Sequence, residues 1–285
     1  MMNDSEVLYQ LSNCEIMRLD VDDNHYYYGG EVNKEKQYYL SVTQVLNIGG
    51  PFPENLREWL RNTDAQESKA IFEARGQRGT KLHDALDRLM NREEIVLKDF
   101  PTQYEKDAIT TFIRMMRFLT PSKFETEQVV ADSKLRLAGT LDFKGIVDVW
   151  KLEALLNPSR YLDIDSEGDL MLKEAYLGLP DKYPGRKSII IDWKFTSVNA
   201  YNHKLQVAAY KTMWGKCYKG MKPSRAFTWR FSPRHKHGFD FSESTRTYRD
   251  FTRVYDTAID YLGEFPPPPA VKKFPERVRL YEEKK

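Results

Sequence analysis

The apolar residues in the N-terminal half of the chain recur mainly at the spacing of amphipathic helices. Residues 37–48 begin with the alternation of a strand and continue with a short helical pattern. Pro51 and Pro53 end this pattern, and residues 54–61 then place apolar side chains on one helical face. We therefore expect a strand followed by two short helices.

A longer helical pattern follows over residues 67–90. Gly76 and Gly79 interrupt it, and because glycine weakens the interior of a helix, two separate helices are predicted. Pro101 fits the first turn of another helix. Together these segments predict a helical region over about residues 54–119.

The C-terminal half contains the alternating and short continuous apolar runs that are typical of strands. Strands are predicted over residues 124–131, 135–150, 188–193 and 225–231, and helices over residues 201–218 and 248–262. This order predicts an α/β fold with a mixed central β-sheet flanked by helices. The 285 residues suit a single domain (1–285), with a core at about 120–262, a proline-rich tail at 265–285 and an irregular acidic insertion at 152–186 that contains a short hairpin near 170–176.

Charge is distributed unevenly along the chain, although the net charge is only +2. Residues 203–237, the basic segment, contain nine lysine or arginine residues and no acid, whereas residues 152–181 contain seven acids and two basic residues. A basic segment without acids favours a polyanionic partner, with Trp214, Tyr218 and Trp229 available for stacking on bases. The competing interpretation is a solvated helix face, which acids usually interrupt.

The N-terminal segment and the apolar runs bear on where the protein acts. No apolar run approaches the roughly 20 residues that cross a bilayer. Residues 1–23 carry six acids and one arginine, unlike the basic start of a secretory signal. We therefore expect a cytoplasmic protein, in the host cytoplasm if it is viral, without a membrane partner. Cys14 and Cys217 are too few for a four-cysteine metal site and are expected to be free thiols.

The end of the apolar run at residues 189–194 is a candidate site for chemistry. Alternation along a strand puts Asp192 and Lys194 on one face, at a position where α/β sheets usually hold active sites. The carboxylate can bind a hard cation, and the lysine can position a water or stabilise charge on a phosphate. The alternative is a strand-end salt bridge, which Asp-x-Lys alone does not exclude.

A second acid, Asp142, lies on another predicted strand. It follows Gly139, where the missing side chain permits close approach by backbone or ligand; the alternative is a surface aspartate in a hairpin. A third carboxylate can come from Glu127 or Glu125, because both have the same parity on a regular strand.

Three further polar residues lie on predicted helices. Gln206 and Tyr210 are four residues apart and share a helix face, from which they can reach a phosphate or a base. His83 is a candidate metal ligand or phosphate contact, although a single histidine is more often structural.

Taken in order, these motifs resemble the RecB-type branch of the PD-(D/E)xK nuclease superfamily. The matching segments are Gly79-Thr-Lys-Leu-His83, Glu127-x-Val129, Gly139-Thr-Leu-Asp142, Ile190-Ile-Asp192-Trp-Lys194 and Gln206-x-x-x-Tyr210. Residues 39–46, followed by Trp59, also look like the entry segment of exonuclease-like members, so the resemblance spans about residues 39–210. Leu141 stands where the superfamily name has proline, and the cysteines of iron–sulfur members are absent.

The resemblance implies a restriction-endonuclease-like core of the phage or mitochondrial-exonuclease kind, without an iron–sulfur cluster. It implies that Asp142 and Asp192 bind Mg²⁺ or Mn²⁺, that His83 is an additional ligand, and that Lys194 is catalytic. Glu127 matches the acid on the preceding strand and joins the expected catalytic set.

DNA is the substrate that the resemblance implies, with Gln206 and Tyr210 binding it or orienting the site. The basic segment adds Lys211, Lys219 and Arg230 as expected backbone contacts. The expected activity is that of an exonuclease on single-stranded or end-accessible DNA. The alternatives are a structure-specific or restriction-like endonuclease and a non-catalytic DNA-binding module. Because no G-x-x-x-x-G-K-[ST] motif is present, a separate helicase or recombination protein is an expected partner.

Overall fold

The computed structural model describes residues 5–12, 14–21, 24–30, 37–195 and 200–265. Its strands are β1 (Ser5–Gln10), β2 (Glu15–Val21), β3 (Asn24–Gly30), β4 (Gln37–Ser41), β5 (Ser122–Asp132), β6 (Leu137–Asp148), β7 (Leu162–Ile164), β8 (Leu170–Leu172), β9 (Arg186–Lys194), β10 (Arg225–Phe231) and β11 (Phe239–Glu243). Its α-helices are α1 (Val42–Gly49), α2 (Glu54–Arg61), α3 (Ala65–Met90), α4 (Gln103–Leu119), α5 (Val149–Leu156), α6 (Pro158–Tyr161), α7 (Leu179–Lys182), α8 (Ala200–Cys217) and α9 (Tyr248–Leu262). Apart from Phe265, the expected proline-rich tail lies outside the described residues.

Nine of the described strands form one mixed sheet, which confirms the α/β class. The strand order is β1-β2-β3-β4-β6-β9-β10-β11, and β5 pairs with the other edge of β6. Parallel ladders join β4 to β6 and β9 to β10, and the other ladders in this sheet are antiparallel. Strands β1–β3 and β11 were not predicted from the sequence.

Helices cover both faces of the sheet, because the strands are apolar on both sides. Along β9, Ile189 and Ile191 join the cluster that contains α3, α4 and α5, whereas Ile190 joins the cluster that contains α1, α8 and α9. This confirms the prediction of a buried central strand. Among the described residues, none of the helices combines the length and apolar character that a membrane span requires.

Helix α3 passes without a break through Gly76 and Gly79, so the prediction of two helices is wrong. Both glycines face open space, with nothing within 4 Å of a Cβ built at either position. A glycine costs a helix only about 1 kcal/mol relative to alanine, and neither position here requires a turn. The many helix-favouring residues on either side therefore carry the helix through.

Helix α4 begins after Pro101, not at it. Thr102 is the N-cap, and its hydroxyl accepts a hydrogen bond from the backbone N–H of Glu105. The Glu105 carboxylate accepts one from the backbone N–H of Thr102 at 2.9 Å. These reciprocal bonds form a capping box, a Thr-x-x-Glu signal that the sequence contained and the prediction overlooked.

The acidic insertion is ordered, contrary to the expectation of an irregular segment. It holds most of α5, then α6, α7 and the hairpin β7–β8, which begins before the predicted position at 170–176 and reaches it with β8. Leu152, Leu155, Leu162 and Leu179 are buried in the same cluster as α3 and α4. Its apolar residues thus form part of the core, while its acids remain at the surface.

Asp132, at the end of β5, ties three elements together. It is buried and pairs with Lys216 of α8, and its Oδ2 accepts a hydrogen bond from the hydroxyl of Tyr248 at 2.5 Å. Burial alone would raise the pKa of Asp132, but these hydrogen bonds outweigh it and hold the pKa below the ordinary value. The ionised form therefore stabilises the packing of α8 and α9 against the sheet.

We expect Asp132→Asn to lower the free energy of unfolding at neutral pH by about 1.5–3 kcal/mol, the usual range for hydrogen bonds to a charged group. Because the folded-state pKa is lowered, the contribution of Asp132 is complete above its unfolded-state pKa. It is lost as the pH falls through the folded-state value. Urea unfolding of wild type and variant from pH 7 to pH 3 measures this.

Asp163→Asn is the matched control, because Asp163 forms an exposed ion pair with Lys236. It should change stability little at any pH. If wild type and Asp132→Asn differed by a constant amount down to pH 3, the ionisation of Asp132 would not be the source of the stability.

Candidate functional site

The candidate site lies where two neighbours of β6 diverge. The ladder to β9 covers Phe143–Asp148, and the ladder to β4 covers Leu137 and Ala138. Strand β5 occupies the opposite edge, so residues 139–142 lie in a gap between β4 and β9. We call this gap the fork. The edge of β6 that faces it is unpaired, and the predicted acids meet there.

Asp142 is the best-anchored acid at the fork. Its Oδ2 accepts a hydrogen bond from the backbone N–H of Trp193 at 2.6 Å, and its Oδ1 lies 3.4 Å from His83 Nδ1. Burial alone would raise the pKa of Asp142, but His83, Lys194 and this backbone N–H together lower it. Asp142 is therefore held as a carboxylate inside the fold.

Asp192 and Lys194 form the predicted pair at the end of β9. Asp192 Oδ2 lies 2.7 Å from Lys194 Nζ, and only 1% of the Asp192 side chain is exposed. Burial raises the pKa of Asp192 to about 6, Lys194 opposes this shift, and nearby Asp142 adds to it. For Lys194, attraction to the two aspartates outweighs burial and raises the pKa, so the lysine is a stable cation.

The structure selects Glu127 over Glu125 as the third acid. Glu125 pairs with Lys144 at 3.4 Å, further along β6. The backbone of Glu127 has a positive φ of 50°, and its neighbours Thr126 and Gln128 pair with Phe143 and Leu141. This register sets Glu127 across from Asp142, a placement that regular strand alternation could not distinguish.

One nitrogen and two carboxylate oxygens converge at the fork. Ligand atoms of His83, Glu127 and Asp142, the ligand trio, lie within 4.8 Å of one another. Burial and repulsion from Asp142 raise the pKa of Glu127 to about 7. A divalent cation would relieve this crowding, and the donor set suits Mn²⁺ or Mg²⁺. Asp192 stands outside the trio, paired with Lys194.

Helix α8 brings the predicted glutamine and tyrosine to the same place. Gln206 Nε2 donates a hydrogen bond to the hydroxyl of Tyr210 at 3.1 Å, and both side chains are buried. The Tyr210 ring lies directly over Gly139, where a Cβ would be 2.7 Å from its Cε1 atom. Gly139 is therefore needed at the fork because any side chain would displace Tyr210.

A pocket of about 360 Å³ opens in front of these residues. It is lined by the ligand trio, Gly139, Gln206 and Tyr210. Strand β3, the end of β4 and helix α1 also line it, through His25, Tyr26, Tyr27, Ser41, Thr43, Gln44 and Asn47. The sequence did not predict that β3 lines this pocket, because no pattern in residues 24–30 indicated a strand beside the site.

The basic segment is not a single free cationic surface. Four of its nine basic residues pair with acids elsewhere in the chain: Lys216 with Asp132, Arg225 with Glu153 and Glu243, Arg230 with Asp240, and Lys236 with Asp163. Two of these acids, Glu153 and Asp163, belong to the acidic insertion. The charge asymmetry in the sequence is thus partly neutralised within the fold.

The three predicted backbone contacts separate in space. Arg230 of β10 is the register partner of Lys194 and so lies beside the site. Lys211 is half-buried on α8, and Lys219 is exposed beyond the end of that helix. Because α8 rises about 1.5 Å per residue, its C-terminal end is about 10 Å from Tyr210.

The aromatic residues of the basic segment are not available for stacking on bases. Trp214 and Trp229 are buried, and Tyr218 stacks on Trp214 with ring centroids 4.2 Å apart. The expectation of stacking platforms is therefore wrong, since these rings pack in the core. Cys14 and Cys217 are both buried as thiols and are not joined in a disulfide.

No protein-family model matches this sequence, and no curated protein matches it significantly. Among solved structures, the chain is similar to one described as "Crystal structure of SSO0001". The identity is 13%, the match covers 80% of this chain and 77% of that chain, and the TM-score is 0.32. A TM-score this low does not establish a shared fold or function.

The close contact between Gly139 and Tyr210 predicts that Gly139→Ala is destabilising. The added methyl group should cost about 1–3 kcal/mol, as overpacking usually does. Gly76→Ala is the control, since this position is open and helical, and it should stabilise the protein by up to about 1 kcal/mol. Urea unfolding measures both variants. A Gly139→Ala variant as stable as wild type would show that Tyr210 yields freely.

Proposed function

We propose that this chain is a Mg²⁺- or Mn²⁺-dependent deoxyribonuclease of the RecB-type PD-(D/E)xK kind, acting as an exonuclease. The observation that carries the proposal is the meeting of Asp142, Asp192 and Lys194 at one fork, from two adjacent strands. Glu127 and His83 join Asp142 there from β5 and α3. If Asp192 and Lys194 formed only a structural salt bridge, there would be no reason for two further potential metal ligands, Glu127 and His83, to come together there.

Each group at the fork suits one task in phosphodiester hydrolysis. His83, Glu127 and Asp142 would hold the ion, with Asp192 as the further carboxylate that the family resemblance implies; when bound, the ion neutralises charge on the phosphate and lowers the pKa of a water. Lys194 supplies a fixed positive charge that favours the developing negative charge on the phosphate. Asp192 orients Lys194 through their ion pair. Gln206 and Tyr210 provide a polar surface that the DNA strand can contact.

The helical region supports a requirement for a free strand end. Helix α2 has no buried residue, and Ser68 is the one buried residue in the first half of α3. Trp59 of α2 meets Phe72 of α3 edge to face, with ring centroids 5.5 Å apart. Helix α2 and the first half of α3 are therefore largely exposed, which suits a wall that a flexible single strand of DNA passes. A separate helicase or recombination protein would supply such strands.

The first test separates the metal ligand from the lysine. Asp142→Asn should abolish cleavage and weaken Mn²⁺ binding. Lys194→Ala should bind Mn²⁺ nearly as wild type does but cleave roughly 10²-fold more slowly or worse, since an ammonium is not a ligand. Calorimetry with Mn²⁺ and cleavage of end-labelled DNA with Mg²⁺, Mn²⁺ or EDTA measure these effects.

Matched controls lie on the same two strands. Asp148→Asn on β6 and Lys187→Ala on β9 should leave both properties unchanged. Unchanged Mn²⁺ affinity in Asp142→Asn would contradict the metal site. Lys194→Ala activity within a few-fold of wild type would reduce Asp192 and Lys194 to a structural ion pair.

The second test asks whether an end is needed. A linear single strand should be degraded, and a closed single-stranded circle of equal length should persist, because a circle has no end to enter. Following both substrates in one reaction removes differences in enzyme activity. Cutting of the circle at a comparable rate would replace the exonuclease proposal with an endonuclease on the same fold. No Mn²⁺-dependent cleavage of either substrate would favour a non-catalytic DNA-binding module.

A further inference from the structure

Strands β1–β3 lie outside the segment that resembles the nuclease family, yet they reach the candidate site. Strand β3 pairs with β4, and β2 lies next in the sheet. Through this connection β2 brings Arg18 to the fork. None of the sequence motifs that resemble the nuclease family includes Arg18.

Arg18 is largely buried, with 14% of its side chain exposed, and it contacts the site directly. Its Nη1 donates a hydrogen bond to Thr140 Oγ1 at 3.2 Å and lies 3.7 Å from Glu127 Oε2. Thr140 is at the fork, two residues before Asp142, and its hydroxyl also contacts Tyr27 at 2.9 Å. The Arg18 guanidinium therefore links Glu127, a member of the ligand trio, to β6, the strand that carries Asp142.

Glu127 has a physical need for such support. Its positive φ places a non-glycine residue in the left-handed region, which is disfavoured unless the surroundings hold it. Its carboxylate is about one-third exposed and points toward Asp142, which repels it. Without a second point of attachment this side chain would swing away from the trio.

The charge of Arg18 is itself balanced. Asp20 Oδ1 lies 3.1 Å from Arg18 Nε, on the same strand. A lone arginine close to a metal site would oppose a bound cation, but a guanidinium shared with Asp20 opposes it less. The geometry therefore favours a role in orientation over a role in attracting or repelling charge.

We propose that Arg18 is a positioning residue that holds Glu127 for metal binding, so that the N-terminal strands are part of the metal centre. This inference rests on the proposed metal site. Partners that orient a metal-binding carboxylate are typically worth 10–100-fold in metal affinity or activity.

The test is Mn²⁺ binding by calorimetry to the full chain carrying Arg18→Met or Arg18→Lys. Arg18→Met should bind Mn²⁺ about 10-fold more weakly or worse, because Glu127 loses its support. Arg18→Lys keeps the charge but cannot reach Thr140 and Glu127 with one planar group, so it should lie between Arg18→Met and wild type. Arg117→Met, which breaks the exposed pair with Asp169, is the control and should bind as wild type does.

Thermal unfolding without metal shows whether each variant is folded. If Arg18→Met has lost its fold, the Mn²⁺ affinity of Arg18→Lys relative to wild type decides whether Arg18 is a positioning residue. Equal or tighter Mn²⁺ binding by a folded Arg18 variant would overturn the positioning role. Absence of Mn²⁺ binding by wild type would overturn both this inference and the metal site. Binding by wild type without DNA cleavage would overturn the nuclease proposal, while the comparison of the Arg18 variants would still decide the present inference.

Discussion

Repulsion among three carboxylates at one end of the sheet is the constraint on which the site depends. Glu127, Asp142 and Asp192 lie on β5, β6 and β9, and the pairing of these strands forces the three acids together. Because two of these acids are buried, such crowding is costly unless cations or hydrogen bonds offset it. Burial and repulsion from Asp142 raise the pKa of Glu127 and of Asp192, whereas His83, Lys194 and the Trp193 N–H outweigh burial and lower the pKa of Asp142.

The groups that offset this repulsion come from elements far apart in the chain. His83 arrives on α3, Lys194 on β9 and Arg18 on β2. None of these elements alone holds the site, so α3 and the N-terminal strands must both pack on the sheet before the carboxylates are balanced. The site is therefore coupled to the whole sheet through packing.

The same principle of balance explains the uneven charge along the sequence. The acidic insertion and the basic segment contribute opposite members of two ion pairs, Glu153 with Arg225 and Asp163 with Lys236. The Asp163–Lys236 pair is exposed and adds little stability, whereas Glu153 and Arg225 are part-buried. Both pairs reduce the local field, and Arg230, the register partner of Lys194, is itself paired with Asp240.

Local sequence determined the elements whose pattern is strong: the helices α2 and α9, the buried strand β9 and the mixed α/β class. It also determined the chemistry of Asp192 and Lys194, because alternation along one strand is a local property. Tertiary structure alone decided the choice of Glu127, since its irregular backbone and its position opposite Asp142 arise from pairing with β6. It also decided the position of β2, where Arg18 and Asp20 interrupt the apolar alternation that identifies a strand. Polar residues turned toward a site break the periodic pattern, and only the packed fold reveals what they contact.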